Sequence, residues 1–402
     1  MIPARRKPAP FLLRQSVPAP CYLLDEAWLR HNVAILNDVQ SRSHVKILLA
    51  LKAFSAWSLF SLLSKTQKGP LWGTCASSVH EARLGREEFG GEVHAFAAAF
   101  SVEEMQELLP LVDYLSFNSM LQWRKFAPLI QQYEQKTGRF IACGIRINPE
   151  HSEVDVPMYD PCAASSRLGV RKRDFDASVF KEGISGLHFH TLCEQNAEAL
   201  KRTLLATEKH FSEELKQCQW INMGGGHHIT RSDYNRDLLV DCVLDWQKRY
   251  GATIYLEPGE AVALDAGWLS ATVLDIVQAD MPIAILDVSC TCHMPDVLEM
   301  PYRPPVFYET KGRIEEACEE GGWECRLAGN SCLAGDVIPY RYCFNEPLRI
   351  GTRLLFGDMA IYTMVKNTTF NGLPLPSIAR FDGETIHRIK TFGYEDFKTR
   401  LS

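Results

Sequence analysis

The sequence predicts an α/β fold: a (β/α)8 barrel followed by a smaller, mostly antiparallel β domain. Eight short apolar segments alternate with longer amphipathic ones between residues 45 and 257, which is typical of a parallel barrel with both strand faces covered. Beyond residue 257, Gly and Pro turns separate the apolar segments and long helical spacers become rare, which indicates antiparallel strands. We place the barrel at residues 25–263 and the β domain at residues 1–24 and 264–402, a division that 402 residues can accommodate.

The individual elements follow from the spacing of apolar residues. The predicted barrel strands are Val45–Lys52, Leu71–Cys75, Glu92–Ala97, Asp113–Phe117, Ile141–Ile147, Ser185–His190, Gln219–Met223 and Thr253–Glu257. The predicted helices between them are Trp57–Thr66, Ser78–Glu87, Val102–Leu109, Leu121–Lys136, Glu194–Lys216 and Arg236–Tyr250. The predicted strands of the β domain are Leu264–Ala279, Pro282–Ser289, Trp323–Ala328, Arg349–Phe356 and Ile361–Asn367. We expect Cys21–Leu24, which precedes the first barrel helix, to pair with this domain.

Composition and charge exclude several classes of protein. The net charge of −6 argues against a nucleic-acid surface, and no apolar run approaches the roughly 18 residues of a membrane span. The apolar run Phe11–Leu13 near the N-terminus is too short for a signal peptide. The 13 cysteines are odd in number and contain no CxxC pair, so we expect reduced thiols and a cytoplasmic enzyme.

Reactive or unusual residues fall at the predicted strand ends, where barrel enzymes place their chemistry. In chain order they are Lys52, Cys75 with Ser77, Arg146, His188 and His190, Gly224–Gly226, and Glu257. This coincidence is the strongest functional signal in the residues themselves.

Two of these positions suit covalent catalysis and phosphate binding. A lysine that closes an apolar run is costly to bury unless it is paired or deprotonated, and a desolvated Lys52 is a suitable Schiff-base nucleophile. The alternative is a lysine whose ammonium group reaches solvent at the strand end. Gly224–Gly226 presents backbone N–H groups without Cβ atoms after the seventh strand, where barrels often bind phosphate. The alternative there is a plain turn.

The histidines leave three interpretations open. His188 and His190 lie two apart on a strand and face the same way, so they could form a metal pair as in barrel hydrolases. Such a site needs further ligands, for which His227 and His228 are candidates. One imidazole could instead stack on a planar cofactor ring, or both could be satisfied core histidines.

Glu257 and Cys332 each have a functional and a structural interpretation. Glu257 could keep a pyridine nitrogen protonated, or it could form a salt bridge with Arg146. Cys332 lies in a glycine-flanked loop of the β domain and is either a proton donor or a small buried hydrophobe. The segment Cys290–His293, Cys-Thr-Cys-His, has a spacing too tight for one tetrahedral zinc site, so we expect no metal there.

Segments from both domains resemble one family of enzymes. They are Leu51-Lys52-Ala53, Cys75-Ala76-Ser77, Ser166-Arg167-Leu168-Gly169, Gly186-Leu187-His188-Phe189-His190, Gly224-Gly225-Gly226-His227-His228, Glu257-Pro258-Gly259-Glu260-Ala261, residues 293–302, and Cys332-Leu333-Ala334-Gly335-Asp336. In this order they resemble the fold-type-III decarboxylases that use pyridoxal 5'-phosphate, which include ornithine, arginine and diaminopimelate decarboxylases; alanine racemase shares the barrel. The resemblance covers nearly the whole chain, and its details look closest to the carboxynorspermidine (carboxyspermidine) decarboxylase subgroup.

The resemblance implies roles for the barrel residues. Lys52 matches the lysine that forms a Schiff base with the cofactor, and His190 matches the histidine that stacks on its ring. Glu257 matches the acid paired with the pyridine nitrogen. Gly224, Gly225 and Gly226 match the phosphate loop, and we include Arg146 among the cofactor-binding residues.

Two residues of the β domain also acquire roles from the resemblance. Tyr362 matches a tyrosine near the phosphate. Cys332 matches a cysteine that one subunit donates into its partner's site, so a homodimer with shared active sites is implied.

The chain departs from the common family pattern at two places. Glu260 replaces the arginine of Glu-Pro-Gly-Arg, so the phosphate has one fewer cation nearby. The segment His190-Thr191-Leu192-Cys193 replaces His-x-Gly-Ser after the sixth strand. Both departures are similar to the carboxynorspermidine subgroup and count against ornithine or diaminopimelate as substrate.

The implied reaction is decarboxylation of an amino acid whose side chain ends in a polyamine. Cationic amines need acidic partners, and the candidates are Asp296, Glu299, Asp336 and Glu260. We expect no nucleic-acid or membrane partner. The alternatives are another decarboxylase of this fold, such as a diaminopimelate-like one, or a metal-dependent barrel hydrolase.

Overall fold

The computed structural model describes residues 7–14, 16–154 and 156–402. These residues divide into two compact units. One unit is Arg30–Val262, and the other joins the chain up to Leu29 with Ala263–Ser402. The predicted β-domain segment 1–24 includes residues 1–6 and 15, which lie outside the described residues.

Within the described residues, eight parallel strands close into a barrel, as predicted. The chain first forms strand β1 (Cys21–Asp25). The barrel strands are then β2 (Lys46–Ala50), β3 (Gly73–Ala76), β4 (Glu92–Phe96), β5 (Tyr114–Phe117), β6 (Ala142–Arg146), β7 (Ile184–His188), β8 (Trp220–Asn222) and β9 (Thr253–Leu256). Strand β9 pairs back to β2 through Tyr255 and Leu256, which closes the ring.

Helices alternate with these strands. They are α1 (Glu26–Ser43), α2 (Val79–Leu84), α3 (Val102–Leu108), α4 (Met120–Thr137), α5 (Ala197–Leu215), α6 (Arg236–Tyr250) and α7 (Glu260–Ala263). The side chains of Ser78, Ser101, Ser119 and Asn235 each accept a backbone N–H of the first turn, which fixes where α2, α3, α4 and α6 begin.

One predicted barrel helix differs in the structure. The segment predicted as Trp57–Thr66 is a 3-10 helix over Trp57–Leu62 only. It ends early because Ser64 forms a parallel bridge with Leu71 and its hydroxyl donates to the Phe89 carbonyl. These contacts tie the chain to its neighbours before a helical turn can continue.

The second unit contains a curled, mostly antiparallel sheet. Its strands after the barrel are β10 (Gly267–Gln278), β11 (Pro282–Leu286), β12 (Val306–Thr310), β13 (Arg313–Glu316), β14 (Trp323–Ala328), β15 (Val337–Phe344), β16 (Arg353–Gly357), β17 (Ser377–Phe381) and β18 (Ile386–Lys390). The main path is β13-β12-β16-β10-β1-β17-β18, with β11, β14 and β15 branching from β10. Strand β1 pairs with β10 and β17, which confirms the expected place of Cys21–Leu24.

This unit also contains short helices, and one of them lies where the sequence predicted a strand. They are α8 (Cys290–His293), α9 (Asp296–Glu299), α10 (Thr363–Lys366) and α11 (Tyr394–Leu401). The predicted strand Ile361–Asn367 is wrong, because the Ile361 carbonyl accepts the Met364 N–H and the Tyr362 carbonyl accepts the next two N–H groups. Periodicity cannot distinguish such a short apolar run from one buried helical turn. Among the described helices, none has the length and apolarity needed to cross a membrane.

Candidate active site

The C-terminal ends of the barrel strands surround a pocket. It is lined by Ala50, Lys52, Cys75, Ala76, Ser77, Phe96, Arg146, His188, His190, Gly225 and Glu257. The structure therefore brings the barrel residues singled out from the sequence into one place. A concave site with convergent polar groups at this end of a barrel is where ligands bind and chemistry occurs.

Lys52 reaches this pocket from the turn that follows β2. Its side chain is exposed rather than desolvated, so burial does not activate the amine in this structure. Its positive charge is nevertheless close enough to help lower the pKa of Glu257. Lys52 thus lies at the open side of the pocket, and the acid lies at the buried side.

Glu257 follows β9 directly and lies among polar partners. Its Oε1 accepts a hydrogen bond from the Asn222 amide at 2.7 Å, and its Oε2 lies 3.6 Å from Nε2 of His188. Burial would raise the pKa of Glu257, but His188, His94 and the hydrogen bond from Asn222 lower it below its usual value. Glu257 is therefore a partly buried carboxylate that stays ionised and can pair with a protonated ring nitrogen.

The salt bridge between Glu257 and Arg146, one of the two alternatives for this acid, does not form. Arg146 is 5% exposed, donates to the His190 carbonyl at 3.3 Å, and lies with its guanidinium 4.4 Å from the centre of the Phe96 ring. Burial lowers the pKa of Arg146 to about 10, so it is still a cation at neutral pH. It gives the pocket a positive charge without neutralising Glu257.

The glycine loop after β8 approaches its neighbours very closely. A Cβ atom on Gly225 would lie 2.4 Å from the Glu257 carbonyl oxygen, and one on Gly226 would lie 2.0 Å from the Leu192 carbonyl oxygen. Gly224 and Gly226 also adopt positive φ angles of 71° and 81°. These positions require glycine for both contact and conformation.

Two of the three glycine N–H groups point into the protein. The Gly224 N–H donates to Asn222 Oδ1 and the Gly225 N–H donates to His190 Nδ1, both at 2.8 Å. Among the described residues, none accepts the N–H of Gly226. Of the loop's N–H groups, this one is left for a ligand such as a phosphate oxygen.

Burial keeps the histidines of the pocket neutral. It lowers the pKa of His188 to about 4 and the pKa of His190 well below its usual value. Among the described residues, neither ring nitrogen of His188 has a hydrogen-bond partner. Burial also lowers the pKa of His227 to about 4. Orphaned ring nitrogens beside an ionised acid leave room for a polar ligand in the pocket.

Among the described residues, the structure does not group His188 and His190 with the further ligands that a metal site would need. In the described part of the chain, only Glu194, His228 and Glu260 are grouped closely enough to hold a metal ion. His228 Nε2 lies 3.4 Å from Glu260, but its Nδ1 lies 3.4 Å from the Arg231 guanidinium. The Arg231 guanidinium places a positive charge beside this group, which disfavours a metal ion there.

The loop that carries Cys332 is fixed at both sides. Cys332 is exposed, and its N–H and its thiol lie 3.0 Å and 3.1 Å from Oδ1 of Asn371. Asp336 is buried, and its two carboxylate oxygens accept the N–H groups of Thr291 and Ser331. Asp336 therefore organises this loop, and its oxygens are not available to a substrate tail.

The other candidate acids also have partners. Lys366 binds Asp296 at 2.5 Å and also binds Glu299. Burial lowers the pKa of Lys366, but these two hydrogen bonds raise it above its usual value overall. The two carboxylates and one ammonium group keep a net charge of −1. Tyr362 immediately precedes the helix α10 that carries Lys366.

Asn222 is the functional residue that sequence reasoning missed. It ends β8, is 1% exposed, and bonds both Glu257 and Gly224. A polar residue at the end of an apolar strand, two positions before a glycine loop, was the available signal. The donor set fits pyridoxal phosphate: an amine at Lys52 for the aldehyde, a carboxylate at Glu257 for the ring nitrogen, and a glycine N–H for the phosphate.

Known proteins resemble this chain over almost its full length. A family profile described as "Pyridoxal-dependent decarboxylase, C-terminal sheet domain" matches residues 21–360. A carboxyaminopropylagmatine decarboxylase from a Synechocystis strain is 41% identical over 390 residues, 96% of each chain. A carboxynorspermidine/carboxyspermidine decarboxylase from Campylobacter jejuni is 38% identical over 395 residues, 96% of this chain and 99% of the relative.

Solved structures show the same architecture. The carboxynorspermidine decarboxylase of Campylobacter jejuni, complexed with norspermidine, superposes with a TM-score of 0.83 at 37% identity, covering 96% of this chain and 100% of that one. The diaminopimelate decarboxylase of Helicobacter pylori superposes with a TM-score of 0.79 at 17% identity over 96% and 98% of the two chains, which supports the fold alone. The family resemblance of the sequence motifs is thus confirmed, and the chain belongs to the family of pyridoxal-phosphate-dependent decarboxylases.

Proposed function

We propose that the chain decarboxylates a carboxylated polyamine, carboxynorspermidine or carboxyspermidine, to norspermidine or spermidine. The supporting observation is identity of 38% and 32% over 96% of this chain to two relatives named for these substrates. The diaminopimelate decarboxylase of Deinococcus radiodurans, in contrast, is 22% identical over 60% of this chain. A substrate with a polyamine tail is therefore favoured over an amino acid with a short side chain.

A second candidate substrate is carboxyaminopropylagmatine. The relative named for it is 41% identical to this chain, slightly more than those named for carboxynorspermidine. The two substrate classes differ at the far end of the tail, where agmatine carries a planar guanidinium group and a polyamine carries a compact ammonium group. A guanidinium group favours paired carboxylate oxygens, whereas an ammonium group accepts any close acid.

The barrel residues would hold the cofactor in the pocket. Lys52 would carry it through Nζ, Glu257 would pair with its ring nitrogen, and Gly226 would donate an N–H to its phosphate. When bound, the cofactor would supply an electron sink for the pair left on Cα when the bond to the carboxylate breaks and CO₂ departs. His190 would face the ring as a neutral imidazole whose Nδ1 accepts the Gly225 N–H.

Cys332 would complete the reaction from a second subunit. Its Sγ gives the proton that replaces the lost carboxylate on Cα. Cys332 is exposed, and the neighbouring Leu333 and Phe370 are 44% and 45% exposed, so this loop offers an apolar rim for contact with a partner. We therefore include a homodimer with shared sites and a cytoplasmic location in the proposal.

The cationic tail would bind the acids of the second unit. Asp296 and Glu299 bring two carboxylates to the one ammonium group of Lys366, and carboxylates are the partners that a cationic tail requires. Glu260 is a further candidate, because its side chain is 18% exposed and its carboxylate lies 3.4 Å from Nε2 of His228. Asp336 acts on the Cys332 loop instead.

A substrate comparison tests the proposal. We would purify the enzyme with its cofactor and measure kcat/KM by CO₂ release for carboxynorspermidine, carboxyspermidine, carboxyaminopropylagmatine and diaminopimelate. We expect one carboxylated polyamine to be preferred, with the one-methylene pair separated by about 10- to 200-fold at most. Preference for carboxyaminopropylagmatine would select the second candidate, and preference for diaminopimelate would refute both.

Borohydride treatment provides the control for the cofactor. The wild-type absorbance band in the visible range should disappear after reduction and the cofactor should remain attached to Lys52. Lys52→Ala should show no attachment and no turnover. A wild-type protein that stays colourless with added pyridoxal phosphate would contradict the cofactor roles.

A further inference from the structure

The side chain of Asn222 contacts two parts of the pocket that serve opposite ends of the cofactor. Its Nδ2 donates to Glu257 Oε1 at 2.7 Å, and its Oδ1 accepts the Gly224 N–H at 2.8 Å. Glu257 is the acid for the ring nitrogen, and Gly224 begins the phosphate loop. The amide of Asn222 thus contacts both the acid and the phosphate loop.

A backbone contact closes this arrangement. The Glu257 N–H donates to the Gly224 carbonyl at 2.8 Å, so Glu257 and Gly224 are joined directly as well as through Asn222. The next residue of the loop, Gly225, lies against the Glu257 carbonyl and donates to His190. Acid, loop and ring-facing histidine therefore form one hydrogen-bonded unit.

We propose that Asn222 is the positioning residue that sets the distance between the carboxylate of Glu257 and the phosphate loop, so that one bound cofactor satisfies both. An asparagine suits this task because its amide offers a donor and an acceptor on opposite sides. An aspartate would keep the acceptor for Gly224 but would place a second negative charge against Glu257. A leucine of similar size would lose both contacts.

Burial makes these two hydrogen bonds consequential. Asn222 is 1% exposed, so water cannot replace either partner when the amide is removed. The loss of one buried hydrogen bond to a charged group corresponds to about a 10- to 100-fold change in an equilibrium constant. Asn148 offers a matched control: it is 2% exposed and lies two residues after β6, but its amide donates to the Pro161 and Leu168 carbonyls, away from Glu257 and the glycine loop.

The variants Asn222→Leu and Asn222→Asp distinguish the contact with Glu257 from the contact with Gly224. We would remove the cofactor, titrate it back, and record its dissociation constant and visible absorbance for the wild type, Asn222→Leu, Asn222→Asp and Asn148→Ala. We expect Asn222→Leu to weaken binding by about 10- to 100-fold and to change the absorbance. Asn222→Asp should change the absorbance as strongly with a smaller loss of affinity, because Gly224 keeps its acceptor.

The outcomes decide between positioning and packing. Wild-type affinity and absorbance in both Asn222 variants would overturn the proposal, and so would an equal loss of affinity in both with unchanged absorbance. Thermal unfolding accompanies each titration, and if Asn222→Leu does not fold, Asn222→Asp alone decides through its absorbance. The inference rests on the proposed cofactor contacts, but its test needs no substrate, so a failed substrate assignment would leave it intact.

Discussion

The backbone N–H of Gly225 donates a hydrogen bond to Nδ1 of His190 at 2.8 Å. This contact makes Nδ1 an acceptor and leaves the imidazole proton on Nε2. Burial, together with the positive charges of Lys52 and Arg146, holds the pKa of His190 well below its usual value. The ring is therefore neutral and fixed in orientation, as a face for an aromatic cofactor requires.

Replacement of Gly225 tests this close packing. In Gly225→Ala, the new Cβ would lie 2.4 Å from the Glu257 carbonyl oxygen and 3.4 Å from Cε1 of His190. We expect a loss of stability of about 1–3 kcal/mol and at least a tenfold weaker hold on the cofactor, measured by thermal unfolding and by titration. Gly393→Ala, which meets nothing within 4 Å, should behave as wild type. Normal cofactor binding by Gly225→Ala would contradict this account of the loop.

Mixed dimers test the shared active site. Lys52→Ala and Cys332→Ala should each lower kcat strongly, but equal amounts unfolded and refolded together should recover about one quarter of wild-type activity. Recovery is expected because half of the dimers are mixed and each mixed dimer has one intact site. Lys52→Ala mixed with Glu257→Gln should recover nothing, since both changes affect the same subunit's pocket. Equal recovery in the two mixtures would refute a site built from two subunits.

The pairing of Lys366 with two acids predicts that removal of this lysine lowers KM for the polyamine substrate. Lys366→Met would change the net charge of its cluster with Asp296 and Glu299 from −1 to −2. If these acids bind the cationic tail, KM for the polyamine substrate should fall by about two- to fivefold, as expected for partly exposed charges. The exposed Lys181→Met serves as control. A higher KM would mean that Lys366 positions the acids instead of competing with the tail.

The buried histidines predict a loss of stability in mild acid. His227 has a pKa near 4 in the folded protein because of burial, against about 6.5 when unfolded, so the unfolded state binds more protons between these values. Stability should therefore fall as the pH drops from about 6.5 to 4, by up to about 1.4 kcal/mol per pH unit for this residue. His227→Leu should flatten the pH dependence of urea unfolding. The exposed His31→Leu should not, and an unchanged slope in His227→Leu would contradict the assignment.

The barrel could be predicted from the sequence because its strands are continuous apolar runs. All eight predicted segments overlap a barrel strand, and residues at their ends meet in one pocket. The β domain was predicted less well. Strands such as β13 (Arg313–Glu316) and β18 (Ile386–Lys390) are largely charged or half-exposed, so their pattern contains no apolar run.

Sequence reasoning found the site residues whose type is dictated by the chemistry. It missed a residue whose role depends on its contacts in the folded protein. Lys52, His190 and Glu257 were found because few residue types can perform their tasks. Asn222 was missed because a buried asparagine becomes informative only when both of its partners are seen. The partners of Asp296 and Glu299 were also out of reach, since Lys366 lies about 70 residues away in sequence.

The position of β1 in the middle of its sheet has a consequence for the order of folding. Cys21 in β1 pairs with Ser270 in β10, which follows 249 residues later in the chain, and its other neighbour β17 follows later still. Apart from the pairing of β9 with β2 that closes the ring, each barrel strand pairs with the strand next to it in sequence, whereas β1 pairs only with strands that follow the whole barrel. During synthesis, the apolar run Cys21–Leu24 therefore stays unpaired until the barrel segment has been made, and β1 completes its pairing late in folding.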